Sequence, residues 1–142
     1  MTAVLDDHLL RDLLADDVGD ELADLLADHE PATTNLYHLR LCKSVVSARG
    51  SSLTGSWPAE RRSALGRALL ALPESLTIVP MRTIAYRMAE VAQAHRVSSL
   101  GAEAVASAEH LGAVLCVWTG DDGPHIRDAV LSAGGSYRTI AR

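Results

Sequence analysis

The chain contains no phenylalanine, a single lysine (Lys43) and only two cysteines, and each scarcity narrows what it can be. Without phenylalanine the core has to be built from Leu, Val, Ala and Ile with a few larger residues. Cys42 and Cys116 both lie in apolar patterns, with no CxxC neighbour and no Cys/His cluster at zinc spacing. Buried, reduced thiols are therefore expected rather than a disulfide framework or a zinc site. Apolar runs are short, and none approaches the roughly 18 residues that span a bilayer. The N-terminus lacks the basic-then-apolar layout of a signal peptide, because acids arrive at Asp6. A cytoplasmic protein with no membrane partner is the expectation. Phosphate-cradling glycine loops are also missing. No GxGxxG follows a strand pattern and no P-loop consensus occurs, which disfavours dinucleotide and P-loop chemistry. Nor is there a GxSxG nucleophile elbow, since Gly50-Ser51-Ser52-Leu53-Thr54 does not match it.

What is present points to one α/β domain spanning residues 1–142. A chain of 142 residues with 48% hydrophobic and 22% charged residues has enough apolar material for one continuous core. The net charge of −5 conceals an asymmetry. Residues 1–30 hold ten acids against one base, Arg11, whereas residues 31–142 hold eight acids against twelve bases. The larger part is mildly basic and suited either to facing phosphates or to ordinary solvated helix faces.

Periodicity divides the chain into alternating elements. Ala3-Val4-Leu5 forms a first strand, and helices follow over 7–15 and from Asp20 to about Asp28. A strand is expected at Ala32-Thr33-Thr34. A helix capped by Asn35 comes next, with Leu36, Leu39, Cys42, Val45 and Val46 inward, and Gly50 stops it. Gly50 to Pro58 reads as a flexible loop able to act as a lid or contact surface, with Trp57 as its anchor. A helix spans 59–72, and Leu76-Thr77-Ile78-Val79 reads by composition as a central strand. Helices from Thr83 to His95 and from Leu100 to Leu111 follow. Val114 to Trp118 is a buried strand, Pro124 to Ala133 a helix, and Ser136 to Ile140 a closing strand. Strands that alternate with helices at these spacings need crossovers, which implies a parallel five-stranded sheet covered on both faces, a three-layer α/β/α arrangement.

Two strands end in acid pairs, Asp6-Asp7 after the first and Asp121-Asp122 after the fourth. In a parallel sheet both ends lie on one edge, where ligands and metals gather. Carboxylates brought together there are suited to Mg²⁺ or Mn²⁺, which take oxygen ligands and keep water for hydrolysis. The simpler alternative is that Asp6 and Asp121 or Asp122 cap the helices that follow them. His38, His95, His110 and His125 are scattered singly, as surface or helix-end residues are. The opening Val4-Leu5-Asp6-Asp7-His8 is also similar to the start of a response-regulator receiver domain. That comparison fails because residues 45–58 contain no acid for a phosphoacceptor and no lysine lies near the last strand.

The layout as a whole resembles the PIN domain, the fold of many metal-dependent ribonucleases and of the toxin half of bacterial toxin–antitoxin pairs. The resemblance covers almost the whole chain. It rests on Ser99-Leu100-Gly101-Ala102-Glu103-Ala104-Val105-Ala106-Ser107-Ala108-Glu109-His110-Leu111-Gly112-Ala113-Val114-Leu115, which is similar to the family's small-residue helix and the strand after it, and on the closing Gly135-Ser136-Tyr137-Arg138-Thr139-Ile140. The family places four acids around one or two divalent ions. By resemblance the first falls on Asp6 and the fourth on Asp121, with Asp122 beside it. The second falls on Arg40 and the third on Gly101, so two ligands are lost and one has become a cation. Ligand charge count sets affinity for hard cations, and an arginine in the cleft competes by pairing with Asp6. Such a pair at roughly 4 Å and an effective dielectric of about 20 is worth on the order of 4 kcal/mol before desolvation. Glu103 lies two residues past Gly101, about 200° round the helix, and is poorly placed to substitute. The resemblance therefore implies a catalytically weak or inactive relative acting through protein or RNA binding. The alternative is an active Mg²⁺- or Mn²⁺-dependent ribonuclease using Asp6 and Asp121, as in a toxin with an antitoxin-like partner. A pure interaction module is a third reading, in which the leucine-rich faces of residues 9–26 and the alanine-rich helices build a homodimer.

Overall fold

A computed structural model describes residues 1–47 and 53–142. The strands are β1 (Thr2–Leu5), β2 (Glu30–Thr33), β3 (Thr77–Ile78), β4 (Val114–Trp118) and β5 (Ser136–Ile140). The helices are α1 (Asp7–Leu14), α2 (Asp20–Leu26), α3 (Asn35–Val46), α4 (Ala59–Leu70), α5 (Met81–His95), α6 (Ser99–Leu111) and α7 (Pro124–Ser132). All strand pairs are parallel, in the order β3-β2-β1-β4-β5. The fold is α/β with three layers, helix on sheet on helix, as the alternation of patterns implied.

Strand alternation distributes the core. Val4, Leu115 and Val117 point to the face covered by Val91 of α5, Ala102 and Val105 of α6, and Val130 of α7. Ala3, Leu5 and Cys116 point the other way, against Leu9 of α1 and Leu22 and Leu25 of α2. Successive side chains leave opposite faces of a strand, so β1 and β4 can be apolar throughout only because both faces are covered. A third group, Leu10, Leu41, Leu53, Leu65, Leu69 and Leu76, joins α1 to α3 and α4. The leucines of residues 9–26 expected to build a dimer surface are thus largely consumed internally, with Leu9, Leu10, Leu22 and Leu25 all buried. Ala102, Ala104, Ala106 and Ala108 of α6 are buried too.

Three other expectations change. The run Leu76–Val79 is not a central strand: β3 is two residues long and lies at the sheet edge. Its β-rich composition reflects Leu76 and Val79, buried on either side of a half-solvated pair. In α3 the buried residues are Tyr37, Leu41 and Ser44; of the expected inward residues Cys42 and Val45 pack half-buried against the core, while Leu39 and Val46 are exposed. Thr34, not Asn35, is the cap, its hydroxyl accepting from the Tyr37 N–H at 3.1 Å. The described part of the 50–58 segment is pinned rather than lid-like. Leu53 and Thr54 are buried, and the Leu53 carbonyl accepts from Arg11 Nη1 at 2.6 Å. The expected stop at Gly50 lies outside the described residues, and α3 closes at Val46. No described helix is long and apolar enough to cross a membrane.

The strand order places the switch point between β1 and β4. Connections run outward from β1 through β2 to β3 on one side and from β4 to β5 on the other. The crevice beyond the carboxyl ends of such a pair is where open α/β sheets bind ligands. Leu5 pairs with Cys116 there, so the first turn of α1 and the turn after β4 are brought together.

Candidate functional site

The first turn of α1 supplies three side chains to this crevice. Asp6 caps the helix from an extended conformation, and its Oδ1 accepts from the Leu9 N–H at 2.9 Å. Its Oδ2 accepts from the Trp118 N–H at 2.9 Å, and its own N–H donates to the Cys116 carbonyl at 3.1 Å. One carboxylate thus ties the start of α1 to the end of β4. Asp6 is buried, and burial pushes its carboxyl up to about 7, against the pull of the two N–H donors. The charged form loses more hydration than two hydrogen bonds return.

Asp7 follows as the first helical residue. Its Oδ1 accepts from the His8 N–H at 2.9 Å and faces His8 Nδ1 at 3.2 Å. Its Oδ2 lies 3.2 Å from Arg40 Nη1, yet this buried oxygen has no hydrogen bond of good geometry. Burial raises the Asp7 carboxyl, but the His8 hydrogen bond and the Arg40 and His8 charges outweigh it and leave it below the usual range. His8 completes the turn. Its ring packs on Trp118 with centroids 4.5 Å apart, and Nδ1 reaches Asp121 Oδ2 at 2.8 Å. Asp121 stands on a short turn, Thr119–Asp121, that continues β4. Gly120 is required in that turn, because a Cβ there would run into the Trp118 ring.

One ligand atom from each of Asp6, Asp7, His8 and Asp121 lies within 4.8 Å of the others. Three carboxylates and an imidazole at that spacing could hold a metal ion, and the donor set suits a divalent cation. Tyr37 is buried beside the group. Its hydroxyl is raised well above 10 by burial first, then by the charges of Asp6 and Asp7.

The other expected positions fall elsewhere. Asp122 is not part of the cluster: it accepts from Arg127 Nη2 at 2.8 Å and from the Tyr137 hydroxyl at 2.9 Å. Arg40 enters the crevice edge but pairs with Asp7 rather than with Asp6, whose oxygens are both occupied by backbone donors. Gly101 sits in the first turn of α6, where a Cβ would stand 3.1 Å from Ile126 Cγ1. An acid there would have to displace that packing. Glu103 is fully buried and accepts from the backbone N–H of Asn35 at 3.0 Å, from that of Leu36 at 2.7 Å, and from Asn35 Nδ2 at 2.7 Å. It holds the N-terminus of α3, where a carboxylate also meets the positive end of the helix dipole. The acid pair after β1 already put Asp7 among the candidate carboxylates, whereas His8 is missed as a ligand. The signal for it is its place directly after that pair, where α1 opens at the sheet edge.

The chain matches no protein-family model and no curated protein.

Proposed function

We propose that the chain is a PIN-like protein whose acidic site has been taken over by internal cations, and that it works by binding a protein or RNA with little or no hydrolysis. The observation that carries this reading is the Arg40–Asp7 pair, 3.2 Å apart, at a position where the resemblance puts a carboxylate. Around it the remaining acids are engaged as well, Asp6 with two backbone donors and Asp121 with His8.

The residues fit a divalent ion only in competition with Arg40. The unbonded Asp7 Oδ2 favours a cation, and Asp121, His8 and Asp6 would complete the set. An ion held there would supply charge stabilisation to a phosphate and an acidified water. The chain's own residues point to a weak site, because an arginine supplies one positive charge to the same oxygen without leaving a position for water. That the four donors lie within 4.8 Å favours the second reading, an active Mn²⁺- or Mg²⁺-dependent ribonuclease.

The two readings separate in a cleavage assay with labelled RNA and Mn²⁺, run beside Asp121→Asn. That substitution is the suitable control because Asp121 is half exposed and pairs through its side chain with His8. The expected result is no metal-dependent cleavage above the control. Cleavage that needs Mn²⁺ and disappears in Asp121→Asn would sink the binding reading in favour of the enzyme.

A further inference from the structure

Away from the acidic edge, α3 and α4 frame an apolar groove of about 440 Å³ walled by Cys42, Val45 and Val46 on one side and Gly66, Leu69 and Leu70 on the other. An adjoining hollow of about 260 Å³ continues past Val45 and Ser63 to Arg62. The lining recurs at three- and four-residue intervals on both helices, so each presents one continuous face. At Gly66 the helices touch: a Cβ there would stand 3.3 Å from Val45 Cγ1. This contact closes the floor. Above it Val46 is 85% and Leu70 90% exposed, although Leu41, Leu65 and Leu69 just beneath belong to the core. Single exposed apolar residues are ordinary, but these two line the same apolar groove.

Arg67 lines the groove and Arg62 the adjoining hollow, with no acid in either lining. Helices α3 and α4 carry Arg40, Lys43, Arg61, Arg62 and Arg67 against one acid, Glu60. Arg40 is paired with Asp7, and Arg61 with Asp17. Arg62 donates to the carbonyls of Ser44, Val45 and Ser47 at the end of α3, which leaves its charge without a carboxylate among the described residues. Lys43 and Arg67 are exposed and make no ion pair among the described residues.

We propose that this groove docks an acidic amphipathic helix from a partner protein. Its apolar side chains would lie on the floor, and its Asp and Glu residues would face Lys43, Arg62 and Arg67. Nucleic acid is the poorer occupant, because an apolar floor strips water from phosphates and returns no hydrogen bond. A second copy is poorer too. The chain's acidic segment buries Leu22 and Leu25 of α2 in its own core and has no such apolar stripe to offer. Docking here is independent of whether the acidic crevice hydrolyses RNA.

The test is a display library of randomised amphipathic helices, selected on the full chain and counter-selected on Leu70→Glu. That position is exposed enough for the variant to fold, as a circular-dichroism melt verifies, and Val46→Glu is the second variant. The expected pool carries apolar residues at helical spacing flanked by Asp and Glu. A synthetic peptide from it binds the full chain, loses at least tenfold in affinity on Leu70→Glu and on Arg67→Glu, and weakens as salt rises. Failure to select any pool, a pool with basic or uncharged flanks, or binding indifferent to both Leu70→Glu and Val46→Glu would overturn the proposal. So would sedimentation showing a dimer that Leu70→Glu dissociates, which would place a second copy in the groove.

Discussion

Arg40→Gln removes the competing cation while leaving a side chain of similar length, and it should strengthen metal binding markedly. Arg40 Nη1 stands 3.2 Å from Asp7 Oδ2. A divalent ion on that oxygen, at the usual metal–oxygen distance of about 2.1 Å, would lie roughly 5 Å from the guanidinium. At that separation a double and a single positive charge repel by about 1.7 kcal/mol in a water-like dielectric and by several times more at an effective dielectric of about 20. The arginine is half exposed, so the lower end applies, about 2 kcal/mol or a thirtyfold gain in Mn²⁺ affinity. Stability should fall as well, by on the order of 1–3 kcal/mol, because Asp7 is buried and loses the cation facing its Oδ2. Isothermal titration of both proteins with Mn²⁺ measures the gain directly. Equal affinities would refute the idea that Arg40 stands in for the metal. A loss of affinity would show that the arginine organises the site instead.

Two further outcomes concern buried carboxylates. Asp6 is raised to about 7 from an ordinary 3.8, so between those values the folded chain keeps a proton that the unfolded chain has lost, and stability falls as pH rises through that window. Three pKa units correspond to at most about 4 kcal/mol, and carboxyl-carbon NMR should place the Asp6 midpoint near neutrality; a midpoint near 4 would contradict the dominance of burial. Glu103→Ala leaves the Asn35 and Leu36 N–H groups and the Asn35 amide without their acceptor. It should cost on the order of 3–5 kcal/mol in chemical denaturation, and a change under about 1 kcal/mol would show that water replaces the carboxylate freely.

The sheet was readable because its signals are strong and local. β4 and β5 were expected over the residues they occupy, since Val114–Trp118 is apolar on both faces and glycines punctuate both strands. The carboxyl-edge meeting of Asp6 and Asp121 also came from topology alone, as parallel strands share that edge. Side-chain phase and partner choice could not be read. The apolar residues of α3 are spread round the helix, yet Tyr37, Leu41 and Ser44 are the ones buried, because the contacts with α1 and α4 fix its rotation. Arg40 could be placed near the acids, but which carboxylate it meets depends on both Asp6 oxygens already being held by backbone donors. The loop expected to move contains Thr54, whose hydroxyl meets Ser44 Oγ at 2.6 Å. A polar loop sequence does not reveal that its Leu and Thr are anchors.

Asp6 and Asp121, two of the three acids in the crevice, do not carry equal weight as signs of function. Asp6 would be found here with or without a ligand. Its two oxygens satisfy the Leu9 and Trp118 N–H groups, and losing either bond leaves a donor stranded at the junction of α1 and β4. A side chain that the fold needs says nothing about catalysis. Asp121 is placed differently. It stands half exposed on a turn, reaches across to His8, and sits where Gly120 permits the chain to double back over Trp118. The sheet would close without it. Together with the under-bonded Asp7 Oδ2, Asp121 is therefore the acid whose placement the fold does not itself require, and Arg40 is the cation that faces the same group. On the proposed reading, whether this crevice only binds or also cleaves turns on the balance between one half-exposed carboxylate and one half-exposed guanidinium rather than on the buried acid at the end of the first strand.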